Sequence, residues 1–218
     1  MMTANVFDSP AITRPDITIE PMVAGDLDEV LGVLARGMRD NPVHVGAFGA
    51  EAPERERLLR TFFGMLSKKP EIVENARVAR LADGRIAGIY GSMNPGSCQP
   101  KPIEKLLMAP MLLGSLGLGN GRRVMRWLGT WSKHDPDTRH CHFGPIAVDA
   151  GLQGQGIGTA MMRSFCAEMD AAGEAAYLET DKESNVRFYN RFGFEVVTSD
   201  EVLGVTNWYM IREPKPAE

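Results

Sequence analysis

DAGLQGQGIGTAMM, residues 149–162, has glycines at the alternate positions 154, 156 and 158, and apolar residues follow them directly. Glycine inside a helix costs roughly 1 kcal/mol relative to alanine. Three of them where a helix begins therefore mark a place that needs bare backbone. Upstream, Ile146, Ala147 and Val148 read as the end of a strand, and the helix starts within 156–159. At such a turn the unsatisfied N–H groups and the positive end of the helix dipole face one spot. With no Cβ atoms in the way, the chemistry expected is pyrophosphate binding by main-chain amides; a plain tight turn is the competing reading. No Gly-Lys-Ser/Thr follows, which excludes a P-loop. A dinucleotide fingerprint is nearly met by Gly154 and Gly156, but its third glycine would fall at Thr159. No second half of a doubly wound fold follows either, so NAD binding is the weaker option.

Working outward, CHFGPIAV (141–148) is expected to be the strand before this turn and residues 156–172 the helix after it. AAYLET (175–180) reads as a strand and SNVRFYNRF (184–192) as a short helix capped by Ser184. FEVVTSD and TNWYMIRE close the chain as strands. Toward the N-terminus, DITIEPM (16–22) alternates like a strand. Asp26 is placed to cap a helix over LDEVLGVLARGM (27–38), which ends at Asp40, Asn41 and Pro42. A second helix is expected in 53–69, and the Asp83-Gly84 turn predicts a hairpin over 76–93. Residues 100–133 read as helical in pieces. Early hairpins followed by β-α-β-α-β give a mixed sheet with helices on both faces.

Composition sets the limits. The 218 residues are 44% hydrophobic and 24% charged, an ordinary globular balance for one domain. A net charge of −4 argues against a general nucleic-acid binder. Cys98, Cys141 and Cys166 form no CxxC pair and no metal spacing, and residues 1–16 read as a loose leader without signal-peptide pattern. A reduced cytoplasmic protein is expected, with no metal and no membrane contact. The most apolar run, LLMAPMLLGSLGLG (106–119), is broken by Pro110 and three glycines and is too short for a membrane span. It is expected to be buried or to line a substrate.

Gln153-Gly154-Gln155-Gly156-Ile157-Gly158-Thr159 resembles the Q/R-x-x-G-x-G/A signature of the GNAT superfamily of acyl-CoA N-acyltransferases. A second GNAT-like signature lies downstream, with Asn185, Tyr189 four residues later, and then Gly193-Phe194. The resemblance spans 17–212, leaving 213–218 as a tail, and it implies an α/β (α+β mixed sheet) fold. The central sheet would be mostly antiparallel, with its fourth and fifth strands splayed and helices on both faces. Acetyl-CoA is then the implied co-substrate, its pantetheine arm pairing along Ile146, Ala147 and Val148. Its diphosphate would sit on 153–159, with Asn185 and Tyr189 completing the site. Pro145 cannot donate a ladder hydrogen bond, which suits a strand losing its neighbour there.

Acyl transfer from a thioester to an amine needs a neutral amine and a stabilised leaving thiolate. Tyr189 is the candidate general acid, since a phenol (pKa about 10) lies near an alkyl thiol (about 8.5). A core tyrosine beside Phe188 and Phe192 is the alternative. Glu179 is the favoured base; His140 and His142, on one face of the fourth strand, are alternatives. His44 reads as a loop histidine that could face the acceptor, and His134 has no assigned role. Cys166 reads as core and Cys141 as inert, so a covalent acyl-cysteine route is disfavoured. The function expected is acetyl-CoA-dependent N-acetylation, by direct attack on the thioester, of a primary amine on a small molecule or peptide. A non-catalytic coenzyme A-binding regulatory module is the alternative, and a homodimer is left open.

Overall fold

The computed structural model describes residues 15–97 and 102–215. The chain runs from strand β1 (Ile17–Pro21) through a 3-10 turn at Ala24–Asp26 into helix α1 (Leu27–Met38). Helices α2 (Pro42–Phe48), α3 (Ala52–Leu66) and α4 (Pro70–Glu74) lead to a hairpin of β2 (Arg77–Leu81) and β3 (Ile86–Met93). After α5 (Pro102–Leu116) and α6 (Leu118–His134) come β4 (Cys141–Val148), α7 (Ile157–Ala172), β5 (Ala176–Thr180) and α8 (Glu183–Asn190). The hairpin β6 (Glu195–Val202) and β7 (Val205–Arg212) closes the fold. Cys98 and most of the expected leader lie outside the described residues. Among those residues no helix is long and apolar enough to cross a membrane.

One sheet holds all seven strands in the order β1-β2-β3-β4-β5-β7-β6. Every neighbouring pair is antiparallel except β4 with β5. Strand alternation divides the core in two. Val78, Ile86 and Ile89 pack on the side of α1–α3, α5 and α6. Their chain neighbours Ala79, Ala87 and Tyr90 pack on the side of α7 and α8. The parallel pair is brief: Cys141 lies opposite Ala176 and His142 opposite Tyr177, after which the strands part. From Phe143 onward β4 is paired only on its β3 side, and its register shifts between Tyr90 and Ser92. Gly144-Pro145 sits at that shift, where proline has no N–H to give. The expected splay is therefore present, and the expected fold class holds.

Two features fix helices against the open end of β4. At Gly37 a Cβ would stand 2.5 Å from the Val148 carbonyl oxygen, so only glycine lets α1 lie directly on the strand. Arg55 is 4% exposed and makes four hydrogen bonds to nearby acceptors. It donates to the carbonyls of Arg39 (2.6 Å), Gly49 (2.7 Å) and Ala50 (2.8 Å), and to Asp40 Oδ1 (2.8 Å). Such charge-assisted bonds offset the desolvation of the guanidinium and hold both turns that flank α2.

Several local expectations change. The segment around His44 is the helix α2, with Pro42 at its first turn, rather than a loop. Asp26 accepts the Val23 N–H and pairs with Arg80, so it closes the 3-10 turn instead of capping α1. Helix α8 starts at Glu183 with Lys182 before it, and Ser184 lies inside rather than at the cap. Residues 102–134 form two full helices, and Pro110 is accommodated within α5. The apolar run is only partly buried: Leu112 and Leu116 are in the core, whereas Leu106, Leu107 and Leu118 are exposed.

Candidate active site

Where β4 and β5 separate, two cavities meet. The first, about 460 Å³, lies over the glycine turn. Ile146, Ala147, Val148, Gln153, Gly154, Gly156, Gly158, Thr159, Asn185 and Tyr189, all named from the sequence as candidates, line it. Gly154 (φ 79°) and Gly156 (φ 88°) adopt the left-handed conformation, which L side chains rarely take. Gly156 immediately precedes Ile157, the first residue of α7, so the N-terminal amides of that helix face this space. Gly158 is the informative case, because a Cβ there would meet Phe188 and Val148 only at ordinary distances of 3.7 and 3.8 Å. The protein itself does not demand that glycine; a ligand pressed against the helix would.

Two expected residues are placed elsewhere. Ile157 is 1% exposed and packs in the core, leaving its main chain alone for binding. Gln155 lines a separate small cavity with Arg163. Gln153 points its amide at the carbonyls of Gly37 (3.3 Å) and Val148 (3.2 Å), tying the turn to α1 and β4. Asp149 accepts the Gly151 N–H and pairs with Arg36, which holds the start of the same turn. Lys182 and Arg191 also line the cavity and bring positive charge to it. Neither was singled out from the sequence, although both fall within the second motif, where a basic residue beside an anion site is the signal.

The second cavity, about 170 Å³, is walled by aromatic residues: Phe62 and Phe63 from α3, and Trp127 and Trp131 from α6. Leu66, Leu128 and the ring of His44 complete that wall, while Glu179, Asp181 and His142 bring polar atoms to it. Among the described residues α5 contributes none to either cavity; α6 takes its place. His44 donates from Nδ1 to the Met38 carbonyl at 2.8 Å and packs edge-on to Trp127. Burial pushes its imidazole below the usual histidine range.

Met38, Asn41, Ile146, Asn185 and Tyr189 border both cavities. Among the described residues the Tyr189 hydroxyl has no hydrogen-bond partner, and burial raises its phenol well above the usual range, with the Asp181 charge adding to the effect. Asp181 accepts the Val43 N–H at 2.7 Å, so it is anchored at the start of α2. Asn185 donates its amide to Thr180 Oγ1 at 3.1 Å, which joins α8 to the end of β5. Glu179, with its side chain 4% exposed, meets His142 Nε2 at 2.8 Å. The favoured base and one of its two alternatives are thus bonded to each other. His140 lies just behind, against Asp135 at 3.3 Å. His134 instead stacks on Tyr209 and pairs with Asp200, away from the site. Cys141 and Cys166 are buried, and burial raises both thiols.

Comparison with known proteins agrees with this architecture. Residues 117–196, from α6 to the start of β6, match the family described as acetyltransferase (GNAT) domain. Among solved structures, the chain resembles a histone acetyltransferase HPA2 and related acetyltransferase from Corynebacterium glutamicum, at 21% identity and TM-score 0.71, over 92% of this chain and 98% of that one. It also resembles arylalkylamine N-acetyltransferase 2 from Aedes aegypti, at 14% identity and TM-score 0.63, over 92% and 100%. A third likeness, at 17% identity and TM-score 0.50 over 93% and 91%, is to a GNAT family acetyltransferase from Brucella melitensis in complex with acetyl-CoA.

Proposed function

From a chain whose residues 117–196 match the acetyltransferase (GNAT) domain and whose fold resembles solved acetyltransferases, we propose that it is an acetyl-CoA-dependent N-acetyltransferase of small primary amines with an apolar or aromatic body. One observation carries this reading: Tyr189 stands at the junction of an amide-lined cavity and an aromatic one that contains carboxylates. The first suits the diphosphate and arm of acetyl-CoA; the second suits an amine. Bound there, acetyl-CoA would supply an activated acyl group.

The protein's own groups divide the remaining work. Amides of 154–159, with Lys182 and Arg191 nearby, neutralise phosphate charge. The open edge of β4 offers main-chain groups to an extended ligand arm. Glu179 and Asp181 attract an ammonium, and Glu179 takes its proton so that the nitrogen can attack. Because the Tyr189 phenol is raised above a thiol, outright proton transfer from it to a thiolate is uphill. Its part is to donate a hydrogen bond to the sulfur as negative charge develops there. The sequence-based expectation of a near-normal phenol is revised in this respect.

The test pairs a thermal-shift assay with an acetyl-CoA consumption screen across aryl-alkylamines, polyamines, amino acids, aminoglycosides and peptides. Coenzyme A should raise Tm where NAD does not, and aryl-alkylamines should be consumed fastest. Protection by coenzyme A with no turnover of any amine would support the regulatory-module reading instead. The glycine turn has its own check. Gly158→Ala should fold as the wild type does, since a Cβ there makes only ordinary contacts. It should weaken coenzyme A binding by about 10–100-fold, the scale of one or two lost charge-assisted hydrogen bonds, as read by calorimetry. Unchanged affinity would move the diphosphate away from this turn.

A further inference from the structure

We propose that Asp135, His140 and His142 form a transition-metal site, with Zn2+ the best chemical fit, in which the metal ties the end of α6 to the start of β4. Asp135 Oδ1 lies 3.3 Å from His140 Nε2 and 3.7 Å from His142 Nδ1. The three ligand atoms all lie within 4.8 Å of one another. Tetrahedral Zn2+ with bonds of about 2.0–2.1 Å sets neighbouring ligand atoms roughly 3.3–3.4 Å apart. Two edges of the triangle are therefore at or near the required length. The third edge, between the two imidazole nitrogens, lies within 4.8 Å and closes by a small shift of His142, the most accessible of the three at 21% exposure.

Each imidazole is fixed through its other nitrogen. His140 Nδ1 donates to the Thr138 carbonyl at 2.7 Å, and a carbonyl only accepts, so the proton sits on Nδ1. In the neutral ring this leaves the Nε2 lone pair aimed at Asp135. His142 Nε2 is held by the Glu179 carboxylate at 2.8 Å, which turns Nδ1 toward the same point. A carbonyl behind one imidazole and a carboxylate behind the other is the arrangement that sets the tautomer and raises the basicity of metal-bound histidines. Two nitrogens and one carboxylate oxygen favour Zn2+, Co2+, Ni2+ or Cu2+ over Mg2+ or Ca2+.

The site has a structural consequence that does not depend on acetyl transfer. Asp135 immediately follows α6, which supplies Trp127, Leu128 and Trp131 to the aromatic cavity. A metal there fixes that wall to β4. The expectation of no metal rested on cysteine spacing and did not weigh Asp135, His140 and His142 together as ligands.

Tag-free protein stripped with EDTA and titrated with Zn2+ or Co2+ alone tests the site. The expected result is saturation at one equivalent, a rise in Tm, and the ligand-field absorption of four- or five-coordinate Co2+. Asp135→Asn and His140→Gln should each weaken binding by at least about tenfold. His134→Gln, whose ring pairs with Asp200 instead, should bind as the wild type does. Cu2+ bound to the wild type should show EPR coupling to two imidazole nitrogens, a readout that requires no variant to fold. The proposal fails if wild-type protein shows no saturable binding, if both variants bind like the wild type, or if nitrogen coupling is missing. The cluster is then a polar contact between Asp135 and the two imidazoles.

Discussion

Replacing Tyr189 with phenylalanine is expected to lower kcat by about 100–1000-fold, the effect of removing one donor from a site of developing negative charge. Affinity for acetyl-CoA should be nearly unchanged. Phenylalanine keeps the ring contacts with Phe188 and Phe194 and removes only the hydroxyl. That hydroxyl bonds no other described residue, so its loss leaves no buried group unsatisfied and should cost little stability. Steady-state kinetics with the best amine from the screen, beside calorimetric titration with coenzyme A, separates the two effects. A variant with wild-type turnover would return Tyr189 to the core and leave the thiolate with another partner.

Glu179→Gln is the second large effect. The change keeps the side chain's size and can still accept from His142, so the 2.8 Å contact survives. What disappears is the negative charge and the ability to take a proton. With the general base removed, kcat should fall by about 100–10,000-fold. The KM for the amine should rise as well, since the cavity keeps only Asp181 as counter-charge. Circular dichroism and Tm close to wild type would assign the loss to chemistry. If kcat is unchanged, the base lies elsewhere and Glu179 serves to orient His142.

The strands and most helices were readable from the chain because their periodicities are clean. Helix α1 spans the same residues, 27–38, that the apolar spacing marked, and β4 the same eight as CHFGPIAV. Helix α2 was missed because Pro42 was read as a break, and α4 because residues 70–75 were given no assignment. Proline is also favoured in the first helical turn, and that is where Pro42 and Pro70 lie. The residues around the glycine turn were legible because a local motif carries them. Asn41, Met38 and Gly37 were not, since they approach β4 from more than a hundred residues away and only the fold unites them. A glycine inside a helical pattern does hint at close backbone approach, and Gly37 is such a case. Apolar composition misled at α5, whose leucines were expected inside and partly face out. The spacing of Asp135, His140 and His142 matches no short local signature, so the triangle emerges only in three dimensions.

A side chain that borders two chambers at once has a bearing on the order of events. In the proposed reaction donor and acceptor would be resident together, and no acyl group would have to be parked on the polypeptide between one arrival and the next. The burial of Cys141 and Cys166 fits such an economy, because a protein that brings its reactants face to face has no need to offer a thiol of its own.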